Sequence, residues 1–301
     1  MKRIMFILML VSLVLLASCN MSFDSKGRAY IVCVGVEYGY DHGPSKLDGC
    51  IDDALEMGVC LTKQISNTGV DTQAKYLLCR GLDPDESSMD YPSPSHVISA
   101  IRSISVSKDD MIVFFYSGHG DVVENRPAMA LPPEQEGGYV SYLDMQTLYN
   151  EIEAKGCHGV VIMDCCYSGA TAIDESPVTF ADGLKSFAQD TFQPSVAVIA
   201  ACRADEQSSV STVTLDEPPA YPKQKHGYLT IGILKNLGWT HASASSATVQ
   251  SGSDSYKVYG RVSEYLQKKS LSKLVSELKG YWAANYTMTV NDTRGDMFLI
   301  P

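Results

Sequence analysis

Neither a GxxxxGK[ST] phosphate cradle nor a GxGxxG dinucleotide fingerprint occurs in the 301 residues, which removes the two clearest sequence signals for nucleotide-dependent chemistry. No CxxC pair is present, so neither a zinc ribbon nor a thioredoxin-type redox centre is expected. No internal repeat recurs at a fixed period, which excludes a solenoid. Basic residues are in short supply. Lys and Arg number 24 against 35 Asp and Glu, a net charge of −11, so no nucleic-acid partner is expected and basic ligands are favoured. What the chain does have is apolar residues, 45% of the total, enough for one large core or two small ones.

The first residues read as a targeting segment. Lys2 and Arg3 precede an uncharged, mostly apolar run from Ile4 to Leu16, shorter than the roughly 20 residues a membrane span needs. Leu16-Ala17-Ser18-Cys19 then resembles the bacterial lipobox, which implies diacylation of Cys19 and removal of everything before it. Asn20 after that cysteine favours the outer membrane over the inner in the sorting rule this resembles. The expected division is a signal peptide over 1–19, a tether over 20–28 and one folded domain over 29–301, exported and held to the cell envelope by lipid. Nine cysteines in an exported chain invite a disulfide reading, but the length is wrong for a stapled mini-fold. Cys33 lies in an apolar strand and Cys60 in a helical pattern, so most are expected reduced and buried.

From Ala29 onward strands and helices alternate. Strands are expected at Ala29–Val36, Ala74–Cys79, Met111–Gly120, Val160–Gly169 and Ser195–Cys202, with two short ones near Thr287–Val290 and Met297–Ile300. Helices are expected at Leu47–Gln64, Pro94–Ser105 (begun by Ser93), Tyr142–Lys155, Gly227–Leu237 and Ser270–Asn285. Asp121–Gly138, Arg203–Lys225 and the Ser-rich Ala242–Ser255 read as long loops. The βαβ rhythm predicts an α/β sandwich with a mainly parallel central sheet.

Two of those strands stop at small-residue turns that carry reactive side chains. MIVFFYSGHG delivers His119 and VVIMDCCYSG delivers Cys166. Ligands and chemistry collect at the carboxyl ends of parallel strands, so a thiol and an imidazole at two such ends can meet across one crevice. That is the minimum for a cysteine nucleophile with a proton-transfer partner. Gly118 and Gly120, on either side of His119, are expected to leave room for a substrate chain.

The local motifs are more specific. Tyr116-Ser117-Gly118-His119-Gly120 resembles the YSGHG segment of metacaspases, and Asp164-Cys165-Cys166-Tyr167-Ser168-Gly169 resembles their DSCHSG segment. Leu47–Ala54 (LDGCIDDA) is similar to their LxGCxNDA element, Cys202–Ser209 (CRADEQSS) to CxxDQTS, and Gly227–Thr230 (GYLT) to the GxFT helix start. The His119-to-Cys166 separation also suits the roughly 50 residues seen in caspases. The resemblance implies a caspase-like fold and a cysteine endopeptidase in which Cys166 attacks and His119 moves the proton. It also implies an oxyanion held by the N–H groups of Gly120 and Cys166, with no third orienting residue evident. Cys50, Asp53, Ser117 and Asp164 would line the substrate pocket, whose two carboxylates favour cleavage after Arg or Lys and repel Asp.

Tyr167 departs from the histidine usual after the nucleophile. Calcium is the cofactor the resemblance brings, but Asp144 and Asp174 stand without the paired aspartates expected, so none is required on this reading. Self-cleavage after Lys185 follows from the same resemblance. His42, His96, His158, His226 and His241 have no motif context and read as surface or loop residues. Two other readings stay open: a catalytically silent caspase-like scaffold that binds a peptide, and a peptidase of the clostripain or gingipain type.

Overall fold

The computed structural model describes residues 27–39, 44–81, 90–124, 126–135, 138–167, 196–201, 226–242, 244–281, 289–291 and 298–301. Cys19, the tether, His42, Asp174, Lys185 and the Arg203–Lys225 loop lie outside these, as do the side chains of Cys166 and Tyr167.

Five strands form the parallel heart of an eight-stranded sheet: β1 (Arg28–Val36), β2 (Asp71–Cys79), β3 (Met111–Val123), β6 (His158–Tyr167) and β7 (Val196–Ala200), in the order β7-β6-β3-β1-β2. β13 (Thr289–Asn291) adds to the β7 edge in antiparallel sense. The long β3 overshoots its neighbours and turns back as β4 (Arg126–Leu131), which pairs β5 (Ser141–Asp144).

Alternation along β3 shows why the sheet is covered on both faces. Met111, Val113 and Phe115 enter one core, and Ile112, Phe114 and Tyr116 enter the other. Apolar stripes of α1 (Cys50–Asn67), α4 (Tyr228–Asn236) and α5 (Leu271–Tyr281) cover the first face through Ile51, Leu61, Leu229 and Leu274. On the second, α2 (Pro94–Ser103) and α3 (Met145–Glu153) pack through Val97, Ile101, Leu148 and Ile152. The expected sandwich of helices about a mainly parallel sheet is therefore what the chain forms. No helix among the described residues is long and apolar enough to cross a membrane.

Three expectations are corrected. The helix expected over Tyr142–Lys155 begins only at Met145, because Ser141–Asp144 pairs with β4 and the Asp144 carboxylate caps the helix at Gln146 N. Most of the Asp121–Gly138 loop is the β3–β4 hairpin. The Ser-rich Ala242–Ser255 segment holds β9 (Ala247–Ser251), which pairs with β10 (Asp254–Val258) around a turn at Gly252. Six cysteines, 33, 50, 60, 79, 157 and 165, are free and buried as expected.

Candidate active site

The register of β3 and β6 fixes the site. Ser117 stands opposite Asp164, Gly118 opposite Cys165, His119 opposite Cys166 and Gly120 opposite Tyr167. Neighbouring strands run about 4.8 Å apart, so the backbone sets His119 beside position 166 without any loop between them. Gly120 also faces Met129 of β4, which places this candidate oxyanion donor inside the sheet. Cys165, one residue away, is buried in the core of the second face.

His119 is buried and held from three sides. Its backbone N–H donates to Tyr38 Oη at 2.7 Å. The Tyr38 and Tyr116 hydroxyls, 2.9 Å apart, share their protons with the carbonyls of Ala130 and His119. The Tyr38 ring lies 4.6 Å from the imidazole, tilted by 49°. Gly118 makes this possible: a Cβ there would sit 2.5 Å from Tyr116 Oη and 2.9 Å from Tyr38 Oη. The space expected for a substrate chain at Gly118 is thus taken by the tyrosine pair.

On the ring itself, Nε2 lies 2.7 Å from the Ser45 carbonyl oxygen. A carbonyl only accepts, so Nε2 carries the hydrogen and Nδ1 is the ring's basic nitrogen. Ser45 is therefore the orienting partner that the sequence did not reveal; any residue's carbonyl could serve, which is why no motif marks it. Burial lowers the His119 pKa below its ordinary 6.5, partly opposed by the Ser45 carbonyl, so the ring is neutral at pH 7 and able to take a proton.

The four expected pocket residues are brought together one layer below. Asp53, in the first turn of α1, accepts the Ser117 hydroxyl at 2.7 Å through Oδ2 and the Gly227 N–H at 3.1 Å. Asp164 Oδ2 accepts the N–H and hydroxyl of Thr230 at 2.8 and 2.6 Å. Gly227 is the N-cap of α4 and has no side chain to cap with, so Asp164 caps that helix from another strand. A Cβ on Gly227 would lie 2.1 Å from Asp164 Oδ2, which is why glycine stands there. Burial, then the neighbouring Asp53 charge, push Asp164 up to about 7. Cys50 is buried beside the pair, and burial followed by the Asp53 charge drive its thiol well above the ordinary range, away from thiolate chemistry.

His226 was expected at the surface and is fully buried instead. Its Nδ1 meets Asp53 Oδ1 at 2.7 Å. Burial opposes charge on this ring, but the Asp53 hydrogen bond and the charges of Glu56 and Asp53 outweigh it and raise His226 to about 9. Its position directly before the GYLT helix start was the one available signal. His241 is also largely buried, in β8 (Trp239–His241). His158 is exposed as expected, while His96 is half-buried in α2 with Nδ1 3.0 Å from the Tyr91 carbonyl.

A family profile described as metacaspase, peptidase C14 domain matches residues 29–175, which include the YSGHG and DCCYSG segments and the Asp53 region. Similar solved structures include protein GSU0716 from Geobacter sulfurreducens, at 14% identity over 87% of this chain and 92% of that one, with a TM-score of 0.48. The Drosophila initiator caspase Dronc is another, at 11% identity over 79% and 80%, with a TM-score of 0.37. No curated protein sequence matches the chain. The chain is therefore similar to the metacaspase peptidase C14 domain over residues 29–175, just under half of its length, and carries that stretch on a mainly parallel sheet covered by helices on both faces.

Proposed function

We propose that this protein is a cysteine endopeptidase that cleaves after arginine or lysine. The observation that carries the reading is the pairing of His119 with Cys166 on adjacent parallel strands, one layer above the buried Asp53–Asp164 pair. In the proposed cycle His119 Nδ1 takes the Cys166 proton, and the thiolate adds to the scissile carbonyl. The N–H groups of Gly120 and Cys166 hold the oxyanion, and the imidazolium then returns the proton to the departing amine. Water, deprotonated by the same ring, hydrolyses the acyl-enzyme.

Charge supports the specificity. Two carboxylates on the pocket side favour a guanidinium or ammonium and repel an aspartate. Both are already engaged, Asp53 by His226 and Asp164 by Thr230, with exposures of 1% and 4%. A basic side chain must therefore part the Asp53–His226 contact to reach them. That closure favours the second reading, a silent scaffold, to the extent that the contact never opens. Attachment to the cell envelope through a lipid on Cys19 belongs to the same proposal and rests on the Leu16–Cys19 sequence.

The test is a reporter panel ending in Arg, Lys, Asp or Ala, assayed with and without calcium. Turnover of the Arg and Lys reporters at least about 100-fold above the Asp reporter is expected, with no requirement for calcium. Preference for Asp would overturn the pocket assignment, and no turnover of any reporter would favour the scaffold.

A further inference from the structure

Beneath the acidic pair, and joined to it through His226, lies a second cluster that takes no part in the proposed proton transfers or bond making. Glu56 follows Asp53 by three residues on α1 and so shares its face. Its carboxylate is buried, and Trp239 Nε1 donates to Oε2 at 2.7 Å. The other oxygen, Oε1, is buried and has no hydrogen-bond partner among the described residues. His241, two residues beyond Trp239 and on the same side of β8, brings Nε2 to 3.2 Å from that oxygen. His226 Nε2 lies 3.8 Å from Glu56 Oε2. Among the described residues neither imidazole nitrogen has a hydrogen-bond partner, and both are buried.

Three buried polar atoms, from a helix, a strand and the segment before α4, thus converge and leave one another unsatisfied. Buried polar atoms are rarely left so, and each carries a desolvation cost. An occupant that accepts lone pairs from all three removes the cost at once. The ligand atoms of Glu56, His226 and His241 lie within 4.8 Å of one another. Ligands about a tetrahedral zinc ion stand roughly 3.3 Å apart, so only small side-chain rotations separate this arrangement from coordination.

The outer contacts fit the same occupant. Asp53 accepts from His226 Nδ1, so Nε2 is the nitrogen that would ligate once an ion displaces its proton; this carboxylate–histidine pairing orients metal-bound imidazoles. Trp239 fixes the Glu56 carboxylate through the oxygen that the ion would not need. Two imidazoles and one carboxylate suit zinc, cobalt or nickel and leave a fourth position for water, whereas calcium prefers an all-oxygen shell.

We propose that Glu56, His226 and His241 form a binding site for one divalent transition-metal ion of the zinc class, tying α1 to β8 and to the start of α4. The inference does not depend on the peptidase reading. Its test is titration of chelator-treated, purified protein with Co²⁺ and with Zn²⁺, read by visible absorption, calorimetry and thermal unfolding. One equivalent should bind, giving a tetrahedral cobalt spectrum without a thiolate charge-transfer band and raising the melting temperature. His241→Ala and Glu56→Gln should each weaken binding about 100-fold or more, while Cys50→Ser should not. Absence of saturable uptake, a thiolate band, or uptake unchanged in His241→Ala would overturn the site. The cluster would then be an ion pair between protonated His226 and its two carboxylates. Should Glu56→Gln fail to fold, His241→Ala, which alters only a peripheral strand, decides alone.

Discussion

His119→Ala is expected to lower kcat/KM on an arginine-ended reporter by about 10²–10⁴-fold, the range lost when a positioned proton-transfer group is removed. The fall should lie in kcat, because the ring sits above the acidic pair rather than in it. The wild-type pH profile offers a sharper check. Burial lowers the His119 pKa from 6.5, against the Ser45 carbonyl and the Asp121 charge, which favour the protonated ring. A base with a depressed pKa stays neutral to lower pH, so the acid limb of kcat/KM should fall below pH 6.5. An acid limb at or above that value would contradict the role. Tyr38→Phe keeps the ring packing but removes the acceptor of the His119 N–H, and should lower kcat without moving KM.

The second large effect is expected at Asp164. Asp164→Asn keeps an oxygen for the Thr230 N–H, and with it the cap of α4, but deletes the charge. If that charge receives the basic side chain, losing it should cost about 2–5 kcal/mol of binding, a rise of about 30-fold or more in KM. The measurement belongs at pH 8, above the value of about 7 at which this carboxyl titrates. Cleavage of an alanine-ended reporter should be unaffected. Asp53→Asn should act in the same direction with some loss of melting temperature, because Asp53 also satisfies Ser117, His226 and Gly227. Equal losses on basic and neutral reporters would mean that these carboxylates hold the fold rather than the substrate.

The parts legible in the sequence were those written in local pattern. β3 and β6 hold long runs of apolar residues that no competing period disturbs, although β3 runs on through Gly118 and Gly120 to Val123 instead of stopping there. Ser93 before Pro94 marks a helix start, and its hydroxyl does accept the His96 N–H. The short antiparallel strands were hidden because pairing, not composition, makes them strands. Arg126–Leu131 carries a proline, and Ser141–Asp144 continues into a helical period, yet each finds an edge that fixes it. Gly252 in the middle of the Ser-rich segment was a turn signal that the surrounding serines masked.

The candidate site divides in the same way. Residues inside motifs, His119, Asp53, Ser117 and Asp164, could be named from the sequence, and the structure places them near one another. Those recruited by tertiary contact were missed. Ser45 acts through its carbonyl, Tyr38 and Tyr116 through hydroxyls that a strand pattern reads only as apolar bulk. His226 is buried because Asp53 and Glu56, on a helix more than a hundred residues earlier, surround it. No local window contains that information.

The most direct measurement is covalent trapping. A tagged peptide that ends in arginine and carries a thiol-reactive ketone, incubated with the protein and mapped by mass spectrometry, should leave one adduct on Cys166. The adduct should vanish in Cys166→Ala, persist in Cys165→Ala, and form far more slowly from the aspartate-ended probe. An adduct on Cys165, or equal labelling by both probes, would contradict the account.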